Sequence, residues 1–143
     1  MMSDDCTTAW CAGFLDADGS IQIARKKYKG PRDFFYELVV SVANNKVSGL
    51  IPFLEWGGKI YHQNTQRNPR AAQHHVWKID KSKRCVAFLS DVYPYLIVKQ
   101  ERAALALQYA STQRGPGRKM TDTEYQYRGF LWQRMRDLNK RGV

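Results

Sequence analysis

Between positions 20 and 80, hydrophobic and polar residues alternate in four separate runs, the period-two pattern of strands that bury one face. In the first run Ile21 and Ile23 oppose Gln22, Ala24 and Lys26. In the second, residues 34–43, Tyr36, Leu38, Val40 and Val42 point one way and Glu37, Val39 and Ser41 the other, with Lys29-Gly30-Pro31-Arg32-Asp33 as the intervening turn. The third and fourth runs, 59–63 and 73–80, put Ile60, His75, Trp77 and Ile79 inward. Lys59, Tyr61, Gln63, His74, Val76 and Lys78 then face outward, across a polar, basic loop at 64–72. A short amphipathic helix over 47–56, capped by Asn44 or Asn45 and stopped by Gly57-Gly58, separates the two hairpins.

Outside this block the period changes to that of helices. The first spans about 4–16, with Ser3 or Asp4 as N-cap and Gly19 as its end. Trp10 and Phe14 are expected to face the core, while Ala9, Ala12, Gly13 and Asp16 line a small-residue stripe. Such a stripe suits close approach by a second helix, or equally tight packing on the chain's own sheet. Residues 82–92 form a further helix ended by Pro94, and 98–110 another. Gly115-Pro116-Gly117-Arg118-Lys119 reads as a basic linker within 111–120. Thr121-Asp122-Thr123-Glu124 then matches a capping box that opens a last helix to about 141, with Tyr127, Phe130, Leu131 and Leu138 as its apolar stripe. The order helix, hairpin, helix, hairpin, helices makes an α/β chain of the α+β kind, one domain over 1–143 with its core at about 4–110.

Charge narrows the function. Lys and Arg total 23 against 13 Asp and Glu, a net +10, which points to a polyanionic partner and above all nucleic acid. No apolar run reaches the ~20 residues that span a bilayer, so no membrane partner is expected. Cys6, Cys11 and Cys85 lack metal or disulfide spacing and read as reduced thiols. The acidic Ser3-Asp4-Asp5 start lacks the basic n-region of a signal peptide, and no address is visible. An intracellular location, cytoplasmic or organellar, is the expectation.

The run Asp16-Ala17-Asp18-Gly19 places two carboxylates at a helix C-terminus, where the macrodipole disfavours negative charge by ~0.3–1 kcal/mol. A divalent cation would compensate; a plain Asx-turn before glycine is the alternative. The whole run Cys11-Ala12-Gly13-Phe14-Leu15-Asp16-Ala17-Asp18-Gly19 resembles the signature helix of the LAGLIDADG homing endonucleases, with Cys in place of the leading Leu. By element order the resemblance extends over about residues 7–110. It implies the αββαββα fold, in which an antiparallel four-stranded sheet forms a saddle over DNA, here with an extra C-terminal helix. It also implies a homodimer that cuts both strands of a long, pseudo-palindromic site with Mg²⁺, Mn²⁺ substituting and Ca²⁺ binding without supporting cleavage.

Carried over residue by residue, the resemblance makes Asp18 and the Ala17 backbone carbonyl the metal ligands. Asp16 becomes a helix-end and dimer residue beside Ala9, Ala12 and Gly13. Pro94-Tyr95-Leu96-Ile97-Val98-Lys99-Gln100 matches the family's Pro-aromatic-Leu-x-x-Lys-Gln segment and makes Lys99 the catalytic lysine. Asn44 stands where relatives often carry a water-positioning polar residue, or is simply a helix cap. The outward strand residues Gln22, Ala24, Lys26, Tyr28, Glu37, Val39, Ser41, Lys59, Tyr61, Gln63, His74, Val76 and Lys78 would read base edges in the major groove. Glu37 fits such a face if it accepts from cytosine N4. Arg67, Arg70, Arg114, Arg118 and Lys119 would hold phosphates. The competing class is a non-cleaving binder, such as an intron-splicing maturase acting on RNA or a transcription regulator.

Overall fold

The computed structural model describes residues 4–27, 30, 32, 34–63, 74–112 and 120–140. Helix α1 (Asp5–Asp18) leads into β1 (Gly19–Lys27) and β2 (Phe34–Asn44); two 3₁₀ turns, Val47–Gly49 and Ile51–Trp56, precede β3 (Lys59–Gln63) and β4 (His74–Ile79). Helices α2 (Ser82–Val92), α3 (Gln100–Ala110) and α4 (Asp122–Lys140) follow, with a 3₁₀ turn at Tyr93–Tyr95. The four strands form one antiparallel sheet in the order β1-β2-β4-β3. All four helices pack on its inner face. No helix among the described residues is long and apolar enough to cross a membrane.

The alternation of the strands sets the core. Ile21, Ile23, Leu38, Val40, Val42, Trp77 and Ile79 are buried on the inner face against Leu15 of α1, Phe88 and Leu89 of α2 and Ala106 and Tyr109 of α3. Trp77 sits at the centre, its ring 4.8 Å from Phe53 and 5.1 Å from Phe88, and its Nε1 donates to the Gly57 carbonyl at 2.9 Å. That close approach requires glycine next door: Gly58 has φ +83°, and a Cβ there would lie 2.5 Å from Ile79 Cγ2.

Several expectations need correction. The segment 47–56 is two 3₁₀ turns instead of one amphipathic helix, because Pro52 near the start of the second cannot continue an α-helical ladder. Asn44 caps no helix; its Oδ1 accepts the Lys46 N–H at 3.1 Å in an Asx-turn leaving β2. Trp10 is 47% exposed, leaning on Phe14 and Phe53 from outside, while Ala12 is fully buried in the chain's own core. On α4 the buried residues are Leu131 and Met135, with Leu138 partly buried, and Tyr127 and Phe130 stack on each other in solvent.

Helix α4 is tied into the fold at both ends. Thr121 Oγ1 accepts the Glu124 N–H at 3.1 Å, as the capping motif requires. At the other end the buried Arg102 guanidinium donates to the Leu138 carbonyl at 3.0 Å, and Asn139 Nδ2 to the Ile21 carbonyl at 3.1 Å. Between them Arg25 of β1 lies over the rings of Phe34 and Trp132 at 4.3 and 4.0 Å.

Candidate metal and nucleic-acid site

The sequence predicts two carboxylates at the end of α1, and the structure gives them different surroundings. Asp16 is half-buried and turned toward the segment before α3: its carboxylate accepts the Ile97 N–H at 2.8 Å and the Lys99 N–H at 2.9 Å. Lys99 returns the contact, its ammonium donating to the Asp16 backbone carbonyl. One of the orphan carbonyls at the helix end is thus satisfied by a cation, the charge a helix C-terminus favours. Asp16 therefore clamps α1 to the Lys99 segment. Its charge is compensated by backbone amides of its own chain, with no need of a metal.

Asp18, two residues on, is exposed, and no hydrogen bond or ion pair from the described residues engages its carboxylate. Ala17 beside it is exposed as well. Asp18 nonetheless acts electrostatically on Lys99. Burial pushes the Lys99 ammonium below its ordinary 10.5, Arg102 adds to the fall, and Asp16 and Asp18 oppose it. The Asp18 carboxylate and the Lys99 ammonium thus lie at one end of α1, the first free in solvent and the second fixed from below. Asn44 follows two residues after Val42, the strand partner of Gly19, so it stands at this same end. Its Oδ1 is taken by Lys46, and its Nδ2 packs under Gly49, where a Cβ would approach to 2.8 Å.

The outer face of the sheet is open. Cross-strand register aligns Gln22 with Val39, Ala24 with Glu37, Ser41 with Lys78 and Tyr61 with Val76, all on this face. Gln22, Lys26, Lys59, Tyr61 and His74 are exposed, and Ala24, Glu37, Val39, Ser41, Val76 and Lys78 half-exposed. Tyr28, Arg67, Arg70, Arg114, Arg118 and Lys119, and the side chain of Gln63, lie outside the described residues. The carboxylate of Glu37 is paired with Lys26 at 3.3 Å, so its charge on this otherwise basic face is balanced within the sheet. The same period also carries Ser20, Phe35 and Ala43 onto this face, which alternation alone would have found.

The open side of α1 carries Ala9, Trp10, Gly13 and Ala17, and Gly13 has nothing within 4 Å of the position a Cβ would take. Ile97 at 86% and Val98 at 48% exposure lie nearby, beyond the Asp16 clamp. Arg102, buried beneath Lys99, is the residue that sequence reasoning missed. Its only signal was an Arg leading directly into the apolar run Ala103-Ala104-Leu105-Ala106-Leu107.

A metal has a narrow choice of ligands. Among the described residues no three His, Cys, Asp or Glu side chains converge. The donors present at the end of α1 are one free carboxylate, Asp18, and the Ala17 carbonyl in the last turn. That set fits Mg²⁺, which takes one or two protein carboxylates and fills its octahedron with water and phosphate oxygens.

Neither a family model nor a curated protein matches the sequence. Solved structures do match the fold. The homing endonuclease I-CvuI, bound to its target in the presence of Ca, superposes with a TM-score of 0.79 at 20% identity, over 94% of this chain and 82% of that one. The archaeal intron-encoded homing endonuclease I-Vdi141I, complexed with DNA, gives a TM-score of 0.80 at 18% identity over 99% of this chain and 89% of that one. The LAGLIDADG homing endonuclease I-SmaMI, bound to cleaved DNA, gives 0.68 at 17% identity; 87% of this chain covers only 42% of that longer one.

Proposed function

From a chain that has the fold of the LAGLIDADG homing endonucleases and carries their signature run, we propose a DNA endonuclease that hydrolyses both strands of a long target with Mg²⁺. The observation that carries this reading is the free Asp18 carboxylate at the end of α1, beside a fixed Lys99 and next to an open basic sheet face. Asp18 and the Ala17 carbonyl would hold the ion; when bound, it would polarise the scissile phosphate and sharpen the acidity of the attacking water. Lys99 contributes positive charge where negative charge builds on the phosphate and the leaving 3′ oxygen. Asp16 holds Lys99 in place through the two amides and the carbonyl. Asn44, with Oδ1 engaged, offers Nδ2 as the remaining polar end for positioning water. The open sheet face supplies the readout: Gln22, Ser41, Lys59, Lys78 and their neighbours to base edges, Ala24, Val39 and Val76 to thymine methyls.

One chain offers one free Asp18, and a duplex has two scissile phosphates. The reading therefore includes a homodimer that pairs the open side of α1, using Ala9, Gly13, Ala17 and the exposed Trp10, Ile97 and Val98. Ala12 is left out of that contact, being buried in its own core. The partial coverage of I-SmaMI supports the same view: a chain more than twice as long has room for two such units.

The deciding experiment is cleavage of a randomised duplex library in Mg²⁺ by wild type and Asp18→Asn, with the cut ends sequenced. A pseudo-palindromic site cut by wild type and spared by the variant is expected. Tight binding with no cutting by either protein would overturn the nuclease reading in favour of a binder.

A further inference from the structure

All three histidines of the chain, His62, His74 and His75, fall in the β3–β4 hairpin, and two of them meet. His62 and His75 are direct cross-strand partners on the inner side of the sheet, at the end away from Lys59. Their rings stand at 89° with centroids 4.7 Å apart, and the two Nδ1 atoms face each other at 2.5 Å. At that distance one ring donates a hydrogen bond to the other, and an ion that displaces the shared proton meets a lone pair on each Nδ1. No carboxylate among the described residues bonds either ring to claim that position. His62 is exposed and His75 half-buried, so the space beside the two nitrogens opens to solvent.

We infer that His62 and His75 form a binding site for a divalent transition ion of the Zn²⁺ class, clipping β3 to β4 and separate from the Asp18 centre. Neutral imidazole suits Zn²⁺, Ni²⁺ and Cu²⁺ and is a poor ligand for Mg²⁺, so the two sites select different ions. Two Zn–N bonds of ~2.05 Å at a tetrahedral angle need nitrogens ~3.3 Å apart, so the rings must spread by under ~1 Å. Rotation about the side-chain torsions of the exposed His62 supplies that movement, and water completes the coordination. A paired register already brings the ligands together, so the ion binds without the ordering cost of joining distant segments. Its effect is to fix β3 on β4, directly behind Tyr61 and Val76 of the open face. The inference does not depend on the nuclease reading.

The test is Zn²⁺ titration of the full chain without DNA, read by calorimetry and by the shift in melting temperature, for wild type, His62→Gln, His75→Gln and Asp18→Asn. One Zn²⁺ per chain is expected for wild type and for Asp18→Asn, and either Gln variant is expected to bind at least tenfold more weakly. Zn²⁺ should raise the wild-type melting temperature and leave that of His62→Gln unmoved. Acidification, which protonates imidazole, should release the ion. Equal binding by His62→Gln and wild type would overturn the site, and so would loss of binding in Asp18→Asn. His62 is exposed, so its Gln variant should fold, which far-UV circular dichroism checks directly.

Discussion

Replacing Gly13 by Ala separates the stability of the chain from its self-association. Gly13 sits in the middle of α1, exposed, with nothing within 4 Å of a new Cβ. In an isolated chain the methyl group meets no obstacle, and Ala gains the usual helix-interior advantage of about 1 kcal/mol. For a domain of this size that corresponds to a rise of about 4 °C in melting temperature. If the open side of α1 is where two copies meet, the same methyl enters the contact twice, and overpacking at such an interface costs about 1–3 kcal/mol. The dimer constant then weakens about five- to a hundredfold. Sedimentation equilibrium gives the constant, and thermal melts at a dilution where the chain is monomeric give the stability. An unchanged dimer constant would refute the α1 face as the interface, and an unchanged melting temperature in the monomer would refute the open-space argument.

Asp16→Asn keeps one acceptor and turns an amide toward the second N–H, so it removes a charged acceptor from two backbone donors at 2.8 and 2.9 Å. A loss of about 2–3 kcal/mol is expected by urea denaturation, against under ~0.5 for Asp122→Asn in the exposed Arg32 pair; equal losses would contradict the clamp. Burial pushes the thiols of Cys11 and Cys85 up to about 12, whereas Cys6 is exposed. Ellman's reagent should therefore label one thiol in the native chain and three after denaturation, and fast labelling of a second native thiol would count against the core as described. Lys99 lies below its ordinary 10.5 in the folded chain. Between its folded value and 10.5 the unfolded chain binds the extra proton, so stability rises with pH across that window. Denaturation at a series of pH values approaching 10.5 from below should favour wild type progressively over Lys99→Met, and parallel curves would refute the shift.

The sheet was legible because each strand buries one face: the alternation of Ile21 with Gln22 and of Val40 with Ser41 fixes both the strands and their facing. Helix α2 follows just as directly from its apolar spacing and from Pro94 beyond it. The local rules ran short where tertiary packing decided. Trp10 and Ala12 exchanged expected environments because a large ring can lie against Phe14 and Phe53 from outside, while Ala12 shares the buried side of α1 with Cys11 and Leu15. Pro52 divided a segment whose apolar spacing alone reads as one helix. On α4, Tyr127 and Phe130 satisfied a helical period without facing the core, since each can be stabilised by the other's ring. At the candidate site only the family resemblance linked Lys99 to the Asp16-Ala17-Asp18 run, and in the structure its ammonium donates to the Asp16 carbonyl. The long-range bonds from residues 97 and 99 back to Asp16, and the buried Arg102, arise from how α3 meets α1, and no local pattern encodes that meeting.

The split between Asp16 and Asp18 assigns the two acids to different selective pressures. The Asp16 carboxylate accepts two of the three bonds that join the two segments, so its loss is expected to weaken every molecule of the chain, whatever that molecule is used for. Among the described residues Asp18 makes no such bond, so its replacement is expected to leave the fold in place. A lineage kept only for gripping nucleic acid would therefore retain the first acid and let the second drift. On the proposed reading the pair becomes a record of use: an intact Asp16 beside a lost Asp18 would mark a descendant that still folds and holds nucleic acid without cutting it.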